Sequence, residues 1–234
     1  MKVERIYVIF NSDCHEYLID YEYYNAFEGE YGNICDLLRS NDIGVSLVSK
    51  NSIEKLYENR IIRIDVAIDD ALAADVCSDL LAMDDDAHSP VMLYINSPGG
   101  SVSAGLEIID HMNTVKSPVF TVNTAVCASM AAVILSNGSK RMSLPHATVM
   151  LHEVSSQVQG KYRDMKSAFE HTEAVNKVAM TLLAENCGKT YDQLMHDAVH
   201  DMWLSAEMAL DYGIIDEITG NKKRTIWTPE DNTD

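Results

Sequence analysis

Val91-Met-Leu-Tyr-Ile-Asn-Ser-Pro-Gly-Gly-Ser101 passes without a break from five apolar residues into a turn. The unbroken apolar character of residues 91–95 is that of a strand buried in a sheet covered on both faces. Asn, Ser, Pro and two glycines then supply a tight turn. Residues 104–115 read as a helix and residues 119–122 as another strand. Strand, turn, helix and strand in that order form a βαβ unit, which implies an α/β fold with a mainly parallel sheet. The same alternation extends in both directions. Upstream, residues 60–66 read as a strand. Residues 69–83 read as a helix, with Leu72, Val76, Leu80 and Leu81 at helical spacing and Asp69 or Asp70 as N-cap. Downstream, residues 141–144 and 148–152 form strands around Pro145. A long helix spans about 161–186, with apolar positions Met165, Phe169, Val175, Val178, Leu182 and Leu183, and Gly188 closes it. Residues 191–199 and 205–212 read as short helices and 213–218 as a last strand.

Residues 1–50 differ from this pattern. A strand is expected at 3–10, but Tyr17-Leu-Ile-Asp-Tyr-Glu-Tyr-Tyr-Asn-Ala-Phe-Glu-Gly-Glu-Tyr31 is aromatic and acidic without a clean period. The expected organisation is an atypical N-terminal segment over 1–50, serving as a gate or an added element. A domain over 51–220 and a flexible polar tail over 221–234 follow it. The chain has 234 residues, enough for a sizeable core. Its 36 Asp and Glu against 18 Lys and Arg give a net charge of −18, which argues against nucleic acid or an anionic membrane as partner. The 5 cysteines include no C-x-x-C pair, as expected for reduced thiols and not for a disulfide framework or a zinc site. No signal-peptide pattern or membrane-length apolar run is present. The expectation is a soluble cytoplasmic protein without metal or cofactor.

Asn123-Thr-Ala-Val-Cys-Ala-Ser-Met-Ala-Ala-Val-Ile-Leu135 sets one hydroxyl among small residues at the start of an apolar segment that reads as a buried helix. Ser129 there is either a packing residue or a nucleophile at a strand-to-helix turn, where helix-start N–H groups would face a developing oxyanion. Gly99-Gly100 is either a plain tight turn or a place where the backbone approaches a ligand closely. A phosphate cradle fails, because there is no G-x-G-x-x-G, and Leu183 replaces the first Walker glycine before Gly188-Lys189-Thr190. His152, at the end of an apolar strand, is either structural or a general base, which must be neutral to act. Asp201 precedes Met202-Trp203-Leu204 and would need a partner if buried. His196 and His200 are four residues apart, but no glutamate intervenes as in H-E-x-x-H and no third ligand is evident. Ser129, His152 and Asp201 together offer nucleophile, base and orienting carboxylate. The residues alone take the reading as far as a serine hydrolase.

The same segments resemble the ClpP family of self-compartmentalised serine peptidases over about residues 53–218. The matching runs are Leu93-Tyr-Ile-Asn-Ser-Pro-Gly-Gly-Ser-Val-Ser-Ala-Gly105, Ala128-Ser-Met130, Val149-Met-Leu-His152, Gln159-Gly160, Asp201-Met-Trp-Leu-Ser-Ala206 and Tyr212-Gly-Ile-Ile-Asp216. The resemblance implies a crotonase-like spiral of ββα units, with residues 161–186 as a protruding handle helix. It implies homo-oligomeric heptameric rings paired into a tetradecamer, fed with unfolded polypeptide by an AAA+ unfoldase. By position, Ser129 would be the nucleophile, His152 the base and Asp201 the group fixing its tautomer, with the N–H groups of Gly100 and Met130 as oxyanion hole. Substrate would add as a strand beside Ser101 and Val102 on one side and residues 155–159, including Gln157 and Gln159, on the other.

The chain departs from the family pattern in several places. Glu153-Val154 replaces the usual Gln-Pro, and Ser155-Ser156-Gln157 replaces a glycine-rich stretch. His200 stands where an arginine usually joins the rings. Met92 and Thr114 stand where aromatics often line the unfoldase docking pocket. The reading adopted is a serine endopeptidase acting through an acyl-enzyme. Its rivals are a non-catalytic ring subunit, a phage capsid-maturation protease on the same fold, and a crotonase-type acyl-CoA enzyme.

Overall fold

The computed structural model describes residues 5–11, 16–20, 44–49, 55–85, 87–152 and 161–220. The chain divides into two compact units, Met1–Arg60 and Ile61–Asp234. In the first, β1 (Arg5–Asn11) lies between β2 (Glu16–Asp20) and β3 (Gly44–Ser49) in an antiparallel sheet of order β2-β1-β3. Val8 pairs with Tyr17 on one side and Leu47 on the other. The strand expected at 3–10 is therefore present, and most of the aromatic stretch after residue 20 lies outside the described residues.

The second unit runs β4 (Ile61–Ile64), α1 (Asp70–Met83), β5 (Val91–Ser97), α2 (Val102–Thr114), β6 (Val119–Ala128) and α3 (Met130–Ser136). It continues through β7 (Lys140–Ser143), β8 (Thr148–Leu151), α4 (Tyr162–Asn186), α5 (Tyr191–Asp197), β9 (Met202–Ser205), α6 (Ala206–Tyr212) and β10 (Glu217–Ile218). The main sheet has the order β10-β7-β6-β5-β4 with every neighbouring pair parallel. This is the α/β architecture with a mainly parallel sheet that the alternation of elements implies. Asp69, not Asp70, caps α1 by accepting from the Leu72 N–H at 2.8 Å. Helix α2 begins two residues before the expected start because Ser101 is its N-cap.

Several elements differ from the sequence expectation, and the last strand, expected over 213–218, is reduced to Glu217–Ile218. Strand β6 does not stop at residue 122 but continues to Ala128, and only α3 is helical in the 123–135 stretch. The reason is a change of partner along the strand. Phe120 to Asn123 pair with β7, and Val126 to Ala128 pair with β8. The extra ladder outweighs the weak helix signal of small residues, and β-branched Thr124 and Val126 fit it. Strand β9 has no counterpart in the sequence reading, since four residues are too short to show a period. It forms by pairing antiparallel with β8.

Helices α1, α2 and α3 and part of α4 bury their apolar faces around the sheet, with Ile64, Leu80, Leu93, Ile108, Leu135 and Leu183 fully enclosed. Strand β5 alternates buried and half-buried residues instead of being buried throughout. Gly188 ends α4 in the left-handed region, its N–H donating to the Glu185 carbonyl at 3.0 Å while Lys189 N–H donates to Ala184 at 2.8 Å. Those two bonds make a Schellman cap. On α4, Phe169 and Val178 are exposed and not part of the core. Among the described residues, Cys77, Cys127 and Cys187 are free thiols, and burial pushes Cys77 and Cys187 up to about 11. No helix among the described residues is long and apolar enough to cross a membrane.

Arg141 ties the ends of three elements together. Its guanidinium donates to the Asn186 and Gly213 carbonyls, each at 2.8 Å, and forks onto the Asp216 carboxylate, which also accepts from the Arg141 backbone N–H at 2.9 Å. Two helix-end carbonyls that lack intrahelical partners are thereby satisfied. Hydrogen bonds from Arg141 hold the Asp216 carboxyl below the usual carboxylate range. A depressed folded pKa means that the pair's stabilisation is complete above the ordinary carboxylate pKa and is lost as pH falls through the lower folded value. Arg141→Met should cost about 2 kcal/mol in urea midpoint, mostly from the orphaned carbonyls. Asp216→Asn should cost about 1 kcal/mol at neutral pH, because Asp216 is partly solvent-screened, and should flatten the acid limb of the stability curve. An acid limb of unchanged slope in Asp216→Asn would remove the linkage.

Candidate active site

Strand β6 delivers Ala128 to the edge of α3, and Ser129 makes the corner between them. Its backbone sits at φ +55°, ψ −125°, a region that residues with a Cβ rarely occupy. The corner is held on both sides. Ser129 N–H donates to the Met150 carbonyl of β8 at 2.9 Å, and the Ser129 carbonyl accepts from Ala132 N–H at 2.9 Å. The Ser129 hydroxyl makes no capping bond to the helix, so its oxygen is left to face the cleft beside it.

Gly99 and Gly100 press against this corner and its neighbour. A Cβ on Gly99 would lie 2.6 Å from the Ala128 carbonyl oxygen, 2.8 Å from Ser129 Cβ and 2.9 Å from Met130 N. One on Gly100 would lie 2.2 Å from the Ile68 carbonyl oxygen. Both residues have positive φ, +90° and +154°. Glycine is required here for space and for dihedral alike. Ser97 Oγ accepts from Gly99 N–H at 3.1 Å and donates to the Val66 carbonyl at 2.6 Å, which fixes the turn from behind. Among the described residues, the N–H groups of Gly100 and Met130 donate to no acceptor. They are the two donors expected for an oxyanion.

His152 follows β8 directly, and Asp201 precedes β9. Because Leu151 pairs with Met202 in the antiparallel register, the next step along both chains places His152 beside Asp201. The His152 Nδ1 to Asp201 Oδ1 distance is 3.8 Å, close enough for electrostatic coupling and longer than a hydrogen bond. The His152 side chain is 25% exposed and that of Asp201 64%, so the carboxylate has water available where a buried partner was the sequence concern. Ser129 and His152 both line one open cleft. The rest of its wall is Val102, Met130, Val133 and Leu151, together with Asn176, Ala179, Met180 and Leu183 from α4.

The structure thus brings Ser129, His152, Asp201, Gly100, Met130 and Val102 into one neighbourhood. Ser101 caps α2 instead. Its N–H is committed to the Ile68 carbonyl at 2.7 Å, and its carbonyl accepts from Gly105 N–H at 3.0 Å. Gln157 and Gln159, with the rest of 155–159, lie outside the described residues. Asn176 is the cleft residue that sequence reasoning passes over. Its one signal is a polar side chain one helical turn before Met180, on the face of α4 that turns inward. His196 contacts Asp197 at 3.5 Å and does not line the cleft.

Comparison with known proteins finds relatives of this chain. A family model described as Clp protease matches residues 45–222. A protein described as an ATP-dependent Clp protease proteolytic subunit, from Streptococcus gordonii (strain Challis), is 42% identical over 172 residues, covering 71% of this chain and 88% of that relative.

Proposed function

The chain belongs to the Clp protease family, and on that premise we propose that it is a serine endopeptidase whose nucleophile is Ser129. His152 takes the Ser129 hydroxyl proton as the oxygen attacks the scissile carbonyl. The tetrahedral oxyanion is met by the N–H groups of Gly100 and Met130. His152 then returns the proton to the leaving amine, giving an acyl-enzyme and a free peptide N-terminus. Water, deprotonated by the same histidine, hydrolyses the ester and restores the serine. Asp201 orients the imidazole from the Nδ1 side. At 3.8 Å the pair is coupled through charge, and a shift to hydrogen-bond distance would let Asp201 hold the tautomer directly.

The observation that carries this reading is the Ser129 corner. A backbone strained by about 1–3 kcal/mol persists only where its surroundings enforce it. Here they are the Gly99 contact and the β8 bond, and the product is a hydroxyl without a capping role beside a histidine. A scaffold subunit has no use for that strain. The glycine turn of an acyl-CoA enzyme would not require a serine nucleophile against it.

The family supports an oligomeric assembly working with an ATPase. The finer arrangement proposed is paired heptameric rings enclosing the sites in the cytoplasm, fed with unfolded polypeptide by an AAA+ unfoldase. Exposed Tyr162, Phe169 and Val178 along α4 give that helix apolar surface to bury between subunits. The domain over 51–220, with α4 as its handle, would be the peptidase, residues 1–50 an added element and 221–234 a tail.

A fluorophosphonate probe tests the chemistry. Peptide mapping should locate the adduct on Ser129, and His152→Ala should abolish labelling while leaving the far-ultraviolet circular dichroism unchanged. A folded protein that takes no label, whether assembled or not, would rule out the peptidase reading.

A further inference from the structure

Strand β5 turns Val91, Leu93, Ile95 and Ser97 to the buried side, and the last of these is a hydroxyl where the other three are aliphatic. Ser97 is only 1% exposed. A hydroxyl so placed costs stability unless it is hydrogen-bonded, and this one is bonded twice. Its Oγ donates to the Val66 carbonyl at 2.6 Å and accepts from Gly99 N–H at 3.1 Å. The register of β5 against β6 also shifts at this point, since Ile95 pairs with Asn123 but Ser97 with Cys127. Irregularities of this kind re-aim a side chain beside a site.

The two partners of Ser97 lie on the two sides of a clamp around Gly100. Ile68 N–H donates to the Gly99 carbonyl at 2.9 Å and Ser101 N–H donates to the Ile68 carbonyl at 2.7 Å, so that Ile68 bridges Gly100. In a planar trans peptide the carbonyl and the following N–H point in opposite directions. The bond at the Gly99 carbonyl therefore turns the Gly100 N–H away from Ile68. Both clamp bonds run from main chain to main chain, and they hold only while residues 66–68 and 99–101 keep their spacing. Ser97 sets that spacing, with one bond to each segment.

We propose that Ser97 is a positioning residue for peptide hydrolysis: by joining Val66 to Gly99 it fixes the Gly100 N–H at the separation from Met130 N–H that an oxyanion requires. The inference rests on the peptidase reading above and deepens it with a residue that touches neither substrate nor nucleophile. Without the hydroxyl, the Val66 carbonyl and the Gly99 N–H each lose a partner and the two segments can part. The Gly100 donor then drifts, while the Ser129 N–H keeps its bond to Met150 on β8. The loss falls on the transition state, because the tetrahedral oxyanion depends on these donors more than the bound substrate carbonyl does.

The test uses the full-length assembled protein, a fluorogenic peptide that the wild type cleaves, and a peptide boronic acid whose serine adduct sets an oxygen between the two N–H groups. Ser97→Ala should lower kcat about 30-fold, less than the 10²–10³ of a deleted donor, because the donor is displaced and not removed. KM should change by less than about twofold, and boronate affinity should fall in step with kcat. Thr121→Val is the control for the loss of a buried hydroxyl as such. Thr121 is fully buried on the stretch of β6 that pairs with β7, and its Oγ1 donates to the Leu135 carbonyl at 2.7 Å. That variant should lose comparable stability and keep its kcat. Should Ser97→Ala fail to assemble, Ser97→Cys keeps the size, weakens both bonds and carries the same comparison. Wild-type kcat in the Ser97 variant overturns the proposal. So does a loss carried by KM alone, a loss of kcat with boronate affinity intact, or an equal loss of kcat in Thr121→Val. Each of those results leaves the peptidase reading intact. A wild type that neither cleaves the peptide nor takes the fluorophosphonate label would instead remove both.

Discussion

Peptide hydrolysis should fall about 10⁶-fold on replacing Ser129 by either alanine or glycine, and the two variants should then part company in stability. Both lose the nucleophile, so both fall to whatever the oxyanion donors and binding can do without it. The backbone separates them. At φ +55°, ψ −125°, any residue with a Cβ is strained, and alanine inherits that strain from serine. Glycine occupies the same dihedrals freely, although it adds entropy to the unfolded chain. The expected net gain for Ser129→Gly over Ser129→Ala is about 1 kcal/mol, or about 2–4 °C in Tm for a chain of this length. Neither variant loses a capping bond, since the Ser129 hydroxyl makes none to α3. Peptidase assays and thermal melts of the two variants suffice. Residual activity above a few per cent in Ser129→Ala would place the nucleophile elsewhere. Equal stability of the two would mean that the corner stores no strain.

Much of this site is legible in the sequence because the chemistry sits at element ends. Strand β5 and its turn announce themselves through five apolar residues followed by Pro98-Gly99-Gly100, and β8 through the apolar run up to His152. What the sequence hides is pairing. Nothing in residues 123–128 distinguishes the end of a strand from the start of a helix, because Ala125, Cys127 and Ala128 suit either. The register with β8 decides it. Asp201 is likewise readable as a carboxylate beside Met202-Trp203-Leu204, but its approach to His152 follows from a four-residue strand too short to carry a period. Asn176 is hidden for a third reason. A polar residue in a long helix ordinarily marks the solvent face, and only the placement of α4 against the cleft shows that this one points inward. Phe169 and Val178 mislead in the opposite sense, as apolar residues of the same helix that stay exposed.

Gly99→Ala should nearly abolish activity in a protein that keeps its nucleophile, its histidine and its aspartate. The added methyl would meet backbone on two sides, 2.6 Å from the Ala128 carbonyl oxygen and 2.9 Å from Met130 N, and Ser129 Cβ at 2.8 Å on the third. None of these atoms is the free end of a flexible side chain, so the turn and the Ser129 corner must separate. Overpacking and a Cβ at φ +90° together should cost about 3 kcal/mol of stability. The larger effect is on chemistry. The same displacement moves the Gly100 N–H away from Met130 N–H, and losing one oxyanion donor costs about 10²–10³ in kcat. Gly188→Ala is the control for dihedral strain alone. It also has positive φ, +66°, but a Cβ there meets nothing within 4 Å, so it should cost only about 1 kcal/mol and leave kcat unchanged. If Gly99→Ala lost stability no more than Gly188→Ala and kept its kcat, the Gly99 contact would have slack. The bond from Ser129 N–H to Met150 would then have to fix the nucleophile by itself.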